Sequence, residues 1–321
     1  MGRKIKKYYS GIGGQAVLEG VMMKNQEKYA VAVRKPSGEI AVEVENHQGL
    51  MQGKKVLKIP FIRGIFNFID SLVLGTKALN YSASFYEEDE EGSALDKALD
   101  KISGGRGEKL LSGLVTVFSV GLAVAIFVVL PYLLSAYLEK FIRNHSLVML
   151  MEGVIRVLIF LLYAGGIGLM TDIRRLYQYH GAEHKCINCI ERGRELTVEN
   201  VMKSSRFHKR CGTSFIFFVL IVSIVLFFFI NVGNVFQRVI LRVLLMPVVA
   251  GISYEFISLA GKHDNFLVRM ISAPGFLFQK ITTKEPDESM VEVAIASVEA
   301  VFDWKEYLSE TFGYEWDEEE Q

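Results

Sequence analysis

Four long apolar blocks constrain this chain more than any other feature. Residues 110–138 carry no charge in their interior, and neither do residues 213–232. Residues 154–170 hold a single Arg156 near their start and can be extended back through 147–152, while residues 239–260 hold Arg242 and Glu255. Twenty helical residues rise about 30 Å, the thickness of the bilayer hydrocarbon core. The blocks therefore predict four transmembrane helices, the first kinked at Pro131. Intramembrane Arg156, Arg242 and Glu255 are costly in lipid and are expected to face protein or water, as an Arg–Glu pair or by snorkelling.

Composition narrows the class. Lys+Arg and Asp+Glu both number 36, so the formal net charge is zero. A bulk nucleic-acid binder would be basic, so no nucleic-acid partner is expected. Six prolines and 22% charged residues do not describe a disordered or fibrous chain. Residues 1–9 are basic, but no apolar run of signal-peptide length follows, so insertion is expected from the internal segments.

The rest of the chain divides around the apolar blocks. Residues 1–55 read as a β-rich region, with alternating runs at 29–34 and 39–45 joined by Lys35-Pro36-Ser37-Gly38, a hairpin signal. Ile40, Val42 and Val44 share one face of the second strand. Residues 56–86 form an apolar segment broken by Arg63 and Asp70, seven apart, which predicts an amphipathic helix in the membrane interface; a soluble core helix is the alternative. Residues 87–109 open on Glu87, Glu88, Asp89, Glu90 and Glu91 and read as an acidic linker. Residues 110–260 make the four-helix membrane domain, with a long polar loop at 171–212. Residues 261–321 are soluble, with an amphipathic helix near 290–302 after Pro286 and an acidic tail at Glu315, Asp317, Glu318, Glu319 and Glu320. The expected fold is membrane α-helical, with a small N-terminal β-rich cytoplasmic region and a C-terminal helical cytoplasmic segment.

Orientation follows from the loops. The first carries Lys140 and Arg143. The second carries Arg174, Arg175, Lys185, Arg192, Arg194, Lys203, Arg206, Lys209 and Arg210, and the third has none before Arg238. The second loop is therefore expected in the cytoplasm, with both termini on that side of the plasma membrane.

That loop holds the chain's one chemical constellation. His180 and His184 are four apart, one turn on a helix, and Glu183 lies close to the same face. Two imidazoles at this spacing can hold one Zn²⁺, with the carboxylate as general base or ligand, and His-x-x-Glu-His is the inverted zincin order. A solvent-facing helix start with two ordinary histidines is the alternative. His208 and Cys211 lie just before the next apolar block and return to the same membrane surface if the loop folds back. Four ligands, His180, His184, His208 and Cys211, would close the site and make it structural; three would leave it open for catalysis. All three cysteines, Cys186, Cys189 and Cys211, fall in this loop, which reads as reduced thiols or metal ligands. On a continuous helix Cys186 and Cys189 point roughly opposite the histidines and read as small buried hydrophobes. His47, His145 and His263 read as surface residues, and Gly165-Gly166-Ile167-Gly168 as a close-packing site.

Several runs carry a family resemblance. Gly13-Gly14-Gln15-Ala16-Val17-Leu18-Glu19-Gly20-Val21-Met22-Met23, the 179–185 run and Arg210-Cys211-Gly212-Thr213-Ser214-Phe215 resemble the YqhQ family, as do Pro60-Phe61-Ile62-Arg63-Gly64 and Thr283-Lys284-Glu285-Pro286. The resemblance implies a bacterial multi-pass membrane protein, labelled in that family as a predicted metal-dependent enzyme, and carries over His180, Glu183, His184, His208 and Cys211. Two functions compete. One is a metal-dependent hydrolase with Glu183 as base, acting on a membrane peptide or lipid. The other is a scaffold or assembly factor, partnered with membrane-protein biogenesis machinery, in which any metal is structural. A transporter is less favoured, because four spans are few.

Overall fold

The computed structural model describes residues 8–49, 53–55, 59–86, 107–229, 235–262 and 266–316. In chain order they form β1 (Gly13–Val17), β2 (Gly20–Asn25), β3 (Lys28–Arg34), β4 (Ile40–Asn46), α1 (Ile62–Ala83), α2 (Gly107–Val124), a π-helical turn (Ala125–Val129), α3 (Leu130–Leu138), α4 (His145–Ile167), α5 (Thr171–Ile190), α6 (Val198–Met202), α7 (Gly212–Phe228), α8 (Val235–Lys262), α9 (Phe266–Thr282), α10 (Glu288–Glu299) and α11 (Trp304–Phe312). Most of the acidic linker (87–106), the tail at 317–321 and His263 lie outside the described residues. The chain divides into two units. One comprises Met1–Tyr86, Ala164–Val222 and Pro247–Gln321; the other comprises Glu87–Tyr163 and Ser223–Met246.

The first unit is built on an antiparallel meander in the order β1-β2-β3-β4. The register sets Val21 opposite Ala32 and Met22 opposite Val31. Alternation then sends Val21, Met23, Ala30 and Ala32 into one core with Tyr179, Cys186 and Cys189 of α5 and Met290, Val293 and Ala294 of α10. The opposite face sends Val17, Met22, Tyr29, Val31 and Val33 against Leu74 and Ala78 of α1. The sheet is thus covered by helices on both faces, which is why β3 is apolar on both. Each such Val burial stabilises by about 1.5–3 kcal/mol. The 35–38 hairpin forms, with Gly38 at φ +91°. Ile40 packs on the core, but Val42 and Val44 on the same face of β4 are 42% and 49% exposed.

The β1–β2 turn carries an unusual residue. Glu19 sits at φ +49°, a region that favours glycine. Its carboxylate binds both Arg175 Nε and Arg175 Nη2 and accepts from the Tyr179 hydroxyl, while its carbonyl accepts from Arg34 N. The strained turn is thereby fastened to α5, the helix that carries the histidines.

The expected amphipathic helix at 56–86 is α1, and its polar stripe is turned into the protein. Arg63 donates from Nε (2.7 Å) and Nη2 (2.5 Å) to Glu255. Asp70 lies 2.9 Å from His47 Nε2 and 3.6 Å from Lys24 Nζ. The outward side is apolar instead, with Ile69, Leu72, Val73 and Leu79 exposed. His47 is accordingly a half-buried ion-pair partner and not a bare surface residue. A further helix, α9, occupies the start of the segment expected to be soluble, and exposes Phe266, Met270 and Leu277.

Three helices are long and apolar enough to cross a membrane: Gly113–Leu138, Ser146–Ile167 and Val239–Leu259. The fourth expected span is α7, with 17 described residues, a rise of about 25 Å. The first span widens into the π-helical turn immediately before Pro131. That is where the missing N–H and the proline ring disturb the helical ladder.

Inside the second unit, Glu152 of α4 accepts from both Arg156 (2.8 Å) and Arg242 (2.5 Å). The Arg–Glu pairing expected within the spans is realised through Glu152, one turn before Arg156, and Glu255 belongs to Arg63. The glycine run at 165–168 is not a tight helix contact: a Cβ on Gly165 or Gly166 would meet nothing within 4 Å, and one on Gly168 would meet the ring of Tyr177.

Candidate metal centre

The rotation of α5 is set by its apolar stripe. Tyr179, Ala182, Cys186 and Cys189 recur at helical spacing and are buried in the core shared with the sheet and α10. That stripe turns His180 and His184 to a different face and leaves both core cysteines remote from it. Cys186 and Cys189 are buried free thiols. Burial pushes the Cys186 thiol well above its ordinary value and the Cys189 thiol up to about 11.

Two loops are fastened across the histidine face. Lys185 Nζ donates to the carbonyls of Met202 (2.8 Å) and Ser204 (2.9 Å), and Asn188 Nδ2 to those of Ser205 (2.6 Å) and Phe207 (3.0 Å). These bonds fold residues 202–208 back over α5. On the other side, Lys284 N donates to the Tyr177 carbonyl at 2.8 Å, laying the segment after α9 along α5. The approach is so close at Gly181 that a Cβ there would stand 2.0 Å from the Lys284 carbonyl oxygen. Glycine in the middle of His180-Gly181-Ala182-Glu183-His184 is therefore a packing requirement.

The folded loop brings three candidate ligands together. One ring nitrogen each from His180 and His184 and the Cys211 sulfur all lie within 4.8 Å of one another. His180 Nε2 is 3.1 Å from Cys211 Sγ, and the two imidazole centroids are 4.4 Å apart. Each imidazole is held from behind by a carbonyl: Thr282 O at 2.9 Å from His180 Nδ1, and Arg206 O at 2.6 Å from His184 Nδ1. A carbonyl can only accept, so Nδ1 carries the proton in both rings and Nε2 keeps its lone pair. Cys211 Sγ is also in contact with Thr213, 3.0 Å from Oγ1 and 3.4 Å from the backbone N–H.

His208 is adjacent but differently engaged. Its ring centroid is 5.6 Å from that of His184, and its Nε2 faces Glu191 Oε2 at 3.6 Å. Gln279 of α9 clasps its backbone, accepting from His208 N (2.9 Å) and donating to His208 O (2.7 Å). Glu191 is fully buried and also receives Arg210 and Ser10. Burial alone would raise its carboxyl, but His208 and Arg210 outweigh that and hold it down to about 2. The convergent set is thus His180, His184 and Cys211, with His208 in a neighbouring ion-pair network.

Glu183 is 4% exposed, and its Oε2 lies 3.9 Å from His180 Nε2. Burial pushes its carboxyl up to about 7, against the opposing pull of His180 and of the Gly14 N–H. A proton can therefore be gained or lost there near neutral pH. Two imidazoles and one thiolate make a borderline-soft donor set that fits Zn²⁺, and three ligands leave a coordination position open. The backbone carbonyls behind the rings are the second-shell support such ligands require. Sequence reasoning missed those carbonyls, Gln279 and the Gly14 contact; only Gly14 lay in a run that had drawn notice, and then only as resemblance.

A family model described as a protein of unknown function, DUF1385, matches residues 59–304. The chain is 36% identical over 286 residues to the uncharacterized protein YqhQ of Bacillus subtilis (strain 168), covering 89% of this chain and 90% of that relative. No solved structure matches the chain.

Proposed function

The chain belongs to the DUF1385 family, and from that premise we propose that it is a multi-pass plasma-membrane protein with a metal-dependent hydrolase site facing the cytoplasm. The observation that carries this reading is the pairing of both Nδ1 atoms with backbone carbonyls, beside a thiol that completes a three-donor set. A zinc ion held by His180, His184 and Cys211 would supply Lewis acidity and a water of near-neutral pKa.

The chain's own residues do the rest. Thr282 and Arg206 keep both imidazoles in the tautomer that presents Nε2. Glu183 takes up a proton on its carboxylate and returns it, with its pKa near 7 serving both directions. Gly14 N–H orients that carboxylate, and burial excludes bulk water. The substrate is a peptide or lipid at the membrane surface. In the bilayer α7 serves as a fourth span, and the basic residues between α4 and α7 place that segment and both termini in the cytoplasm.

The test combines metal analysis with one substitution. Purified protein should carry zinc, and a His180→Ala/His184→Ala variant should not. Glu183→Gln should keep the metal and lose the cellular phenotype. A Glu183→Gln variant indistinguishable from the parent on both counts removes the hydrolase.

A second reading, an assembly factor whose metal only staples the loop, draws on β4, an edge strand with Val42 and Val44 exposed. Such an edge is a template for a partner. Affinity purification in mild detergent that returns the lone chain counts against it.

A further inference from the structure

The second unit holds a buried charge imbalance that the metal centre does not use. Glu152, Arg156 and Arg242 are 3%, 4% and 1% exposed. Glu152 Oε1 accepts from Arg156 Nη2 at 2.8 Å and from Arg242 Nη1 at 2.5 Å, and Oε2 accepts from Arg242 Nη2 at 3.1 Å. Ser135 Oγ reaches the same carboxylate at 3.3 Å. Two guanidinium groups share one carboxylate, so the cluster carries a formal charge of one positive unit.

That charge is poorly compensated by protein. The face of Phe227 takes both guanidinium groups, 5.3 Å from Arg156 and 5.1 Å from Arg242, and such contacts offset part of the burial cost. Yet Nε of Arg156 and Nε of Arg242 are both buried without a hydrogen-bond partner. Unsatisfied donors on a charged group are costly, and ionisable residues within membrane spans ordinarily mark a ligand or a path. Arg156 and Glu152 also line a small cleft with Met149, Gly153, Ile224 and Phe228. Its walls are otherwise apolar, as a lipid chain would require. Arg242 stands three residues, and Glu152 six, from the starts of their spans. The cluster is thus within two helical turns of one end of each, where headgroups lie.

We propose that Arg156 and Arg242 form a binding site for a singly charged phosphate group, seated in this cleft and completing the charge balance that Glu152 leaves open. A phosphodiester carries the one negative charge needed and offers acceptors for both Nε donors. It can come from an anionic lipid headgroup or from free phosphate.

Native mass spectrometry of the detergent-solubilised full chain tests this, with phosphatidylglycerol, phosphatidylcholine and inorganic phosphate as probes. The parent should bind phosphatidylglycerol in preference to phosphatidylcholine, or be stabilised against heat by inorganic phosphate; the first result assigns a lipid, the second a soluble anion. Arg156→Gln keeps the Glu152–Arg242 pair and removes the excess charge. It should weaken binding at least about tenfold, the loss of one charge-assisted hydrogen bond. Arg156→Lys should restore most of the binding. Glu152→Gln raises the positive charge and should bind at least as well as the parent. A purely structural triad predicts the opposite, with Glu152→Gln losing whatever binding exists. A parent that neither prefers phosphatidylglycerol nor responds to phosphate overturns the proposal. So does an Arg156→Gln variant that binds as the parent does. Should Arg156→Gln fail to fold, Glu152→Gln still decides: undiminished binding supports the site, and loss overturns it.

Discussion

His180 Nε2 and the Cys211 sulfur meet at 3.1 Å across 31 positions of sequence. Neither helix periodicity nor local turn chemistry brings them together. The contact exists because Lys185 and Asn188 hold residues 202–208 against α5, which delivers Cys211 at the start of α7. The site is therefore as rigid as those loop contacts.

Gly181→Ala should loosen the site without touching a ligand. The new methyl group would collide with the Lys284 carbonyl, driving the 283–286 segment, and with it the Thr282 carbonyl, away from His180. Overpacking of this kind costs about 1–3 kcal/mol, and loss of a second-shell hydrogen bond weakens metal affinity about tenfold or more. Competition with a chelator measures the affinity, and an unchanged value would show that Thr282 does not hold the ring.

Glu191→Gln should destabilise the first unit. The substitution leaves Arg210 and His208 facing a neutral amide at a fully buried position, a change worth about 3–5 kcal/mol. Urea unfolding followed by circular dichroism would show it as a lower midpoint. A midpoint equal to the parent's would mean that the network is energetically idle.

The three thiols should separate by reactivity. Cys186 and Cys189 are enclosed in the core, and burial raises both above the ordinary thiol range; the thiolate is the nucleophile. Iodoacetamide should modify neither in the folded protein, and both after denaturation. Cys211 should become reactive on chelator treatment. Peptide mass spectrometry reads all three, and early modification of Cys186 would contradict the core assignment.

The outward face of α1 should lie in lipid. Leu72 and Val73 are each 54% exposed on a helix whose polar residues turn inward, the pattern of an interfacial helix. A fluorophore attached at Leu72→Cys should be quenched by brominated lipid, and one at Glu292→Cys should not. Equal quenching at both positions would leave α1 in water.

Local pattern carried much of this architecture. The hairpin at 35–38, α10 after Pro286 and three apolar spans are all visible as period, turn chemistry or length. The histidine pair was legible because helical spacing is a local property, and the return of Cys211 because the polar loop is bounded by apolar blocks. What escaped were pairings between remote segments. Glu152 taking both arginines, Glu255 choosing Arg63, and Gln279 clasping His208 depend on which helices touch, and no periodicity encodes that. The partners of the two imidazoles are backbone carbonyls, which every residue possesses, so side-chain identity could not mark them. The helix α9 was obscured by Pro274 within it, which reads locally as a break.

One rod, α5, offers its ligand face and its core face from the same twenty residues. A tilt that spread His180 from His184 would also drag Cys186 and Cys189 out of the packing beneath the sheet. Cation occupancy and the melting of the sheet-bearing unit are consequently a single linked equilibrium, so that stripping the ion should soften a hydrophobic interior that never contacts it.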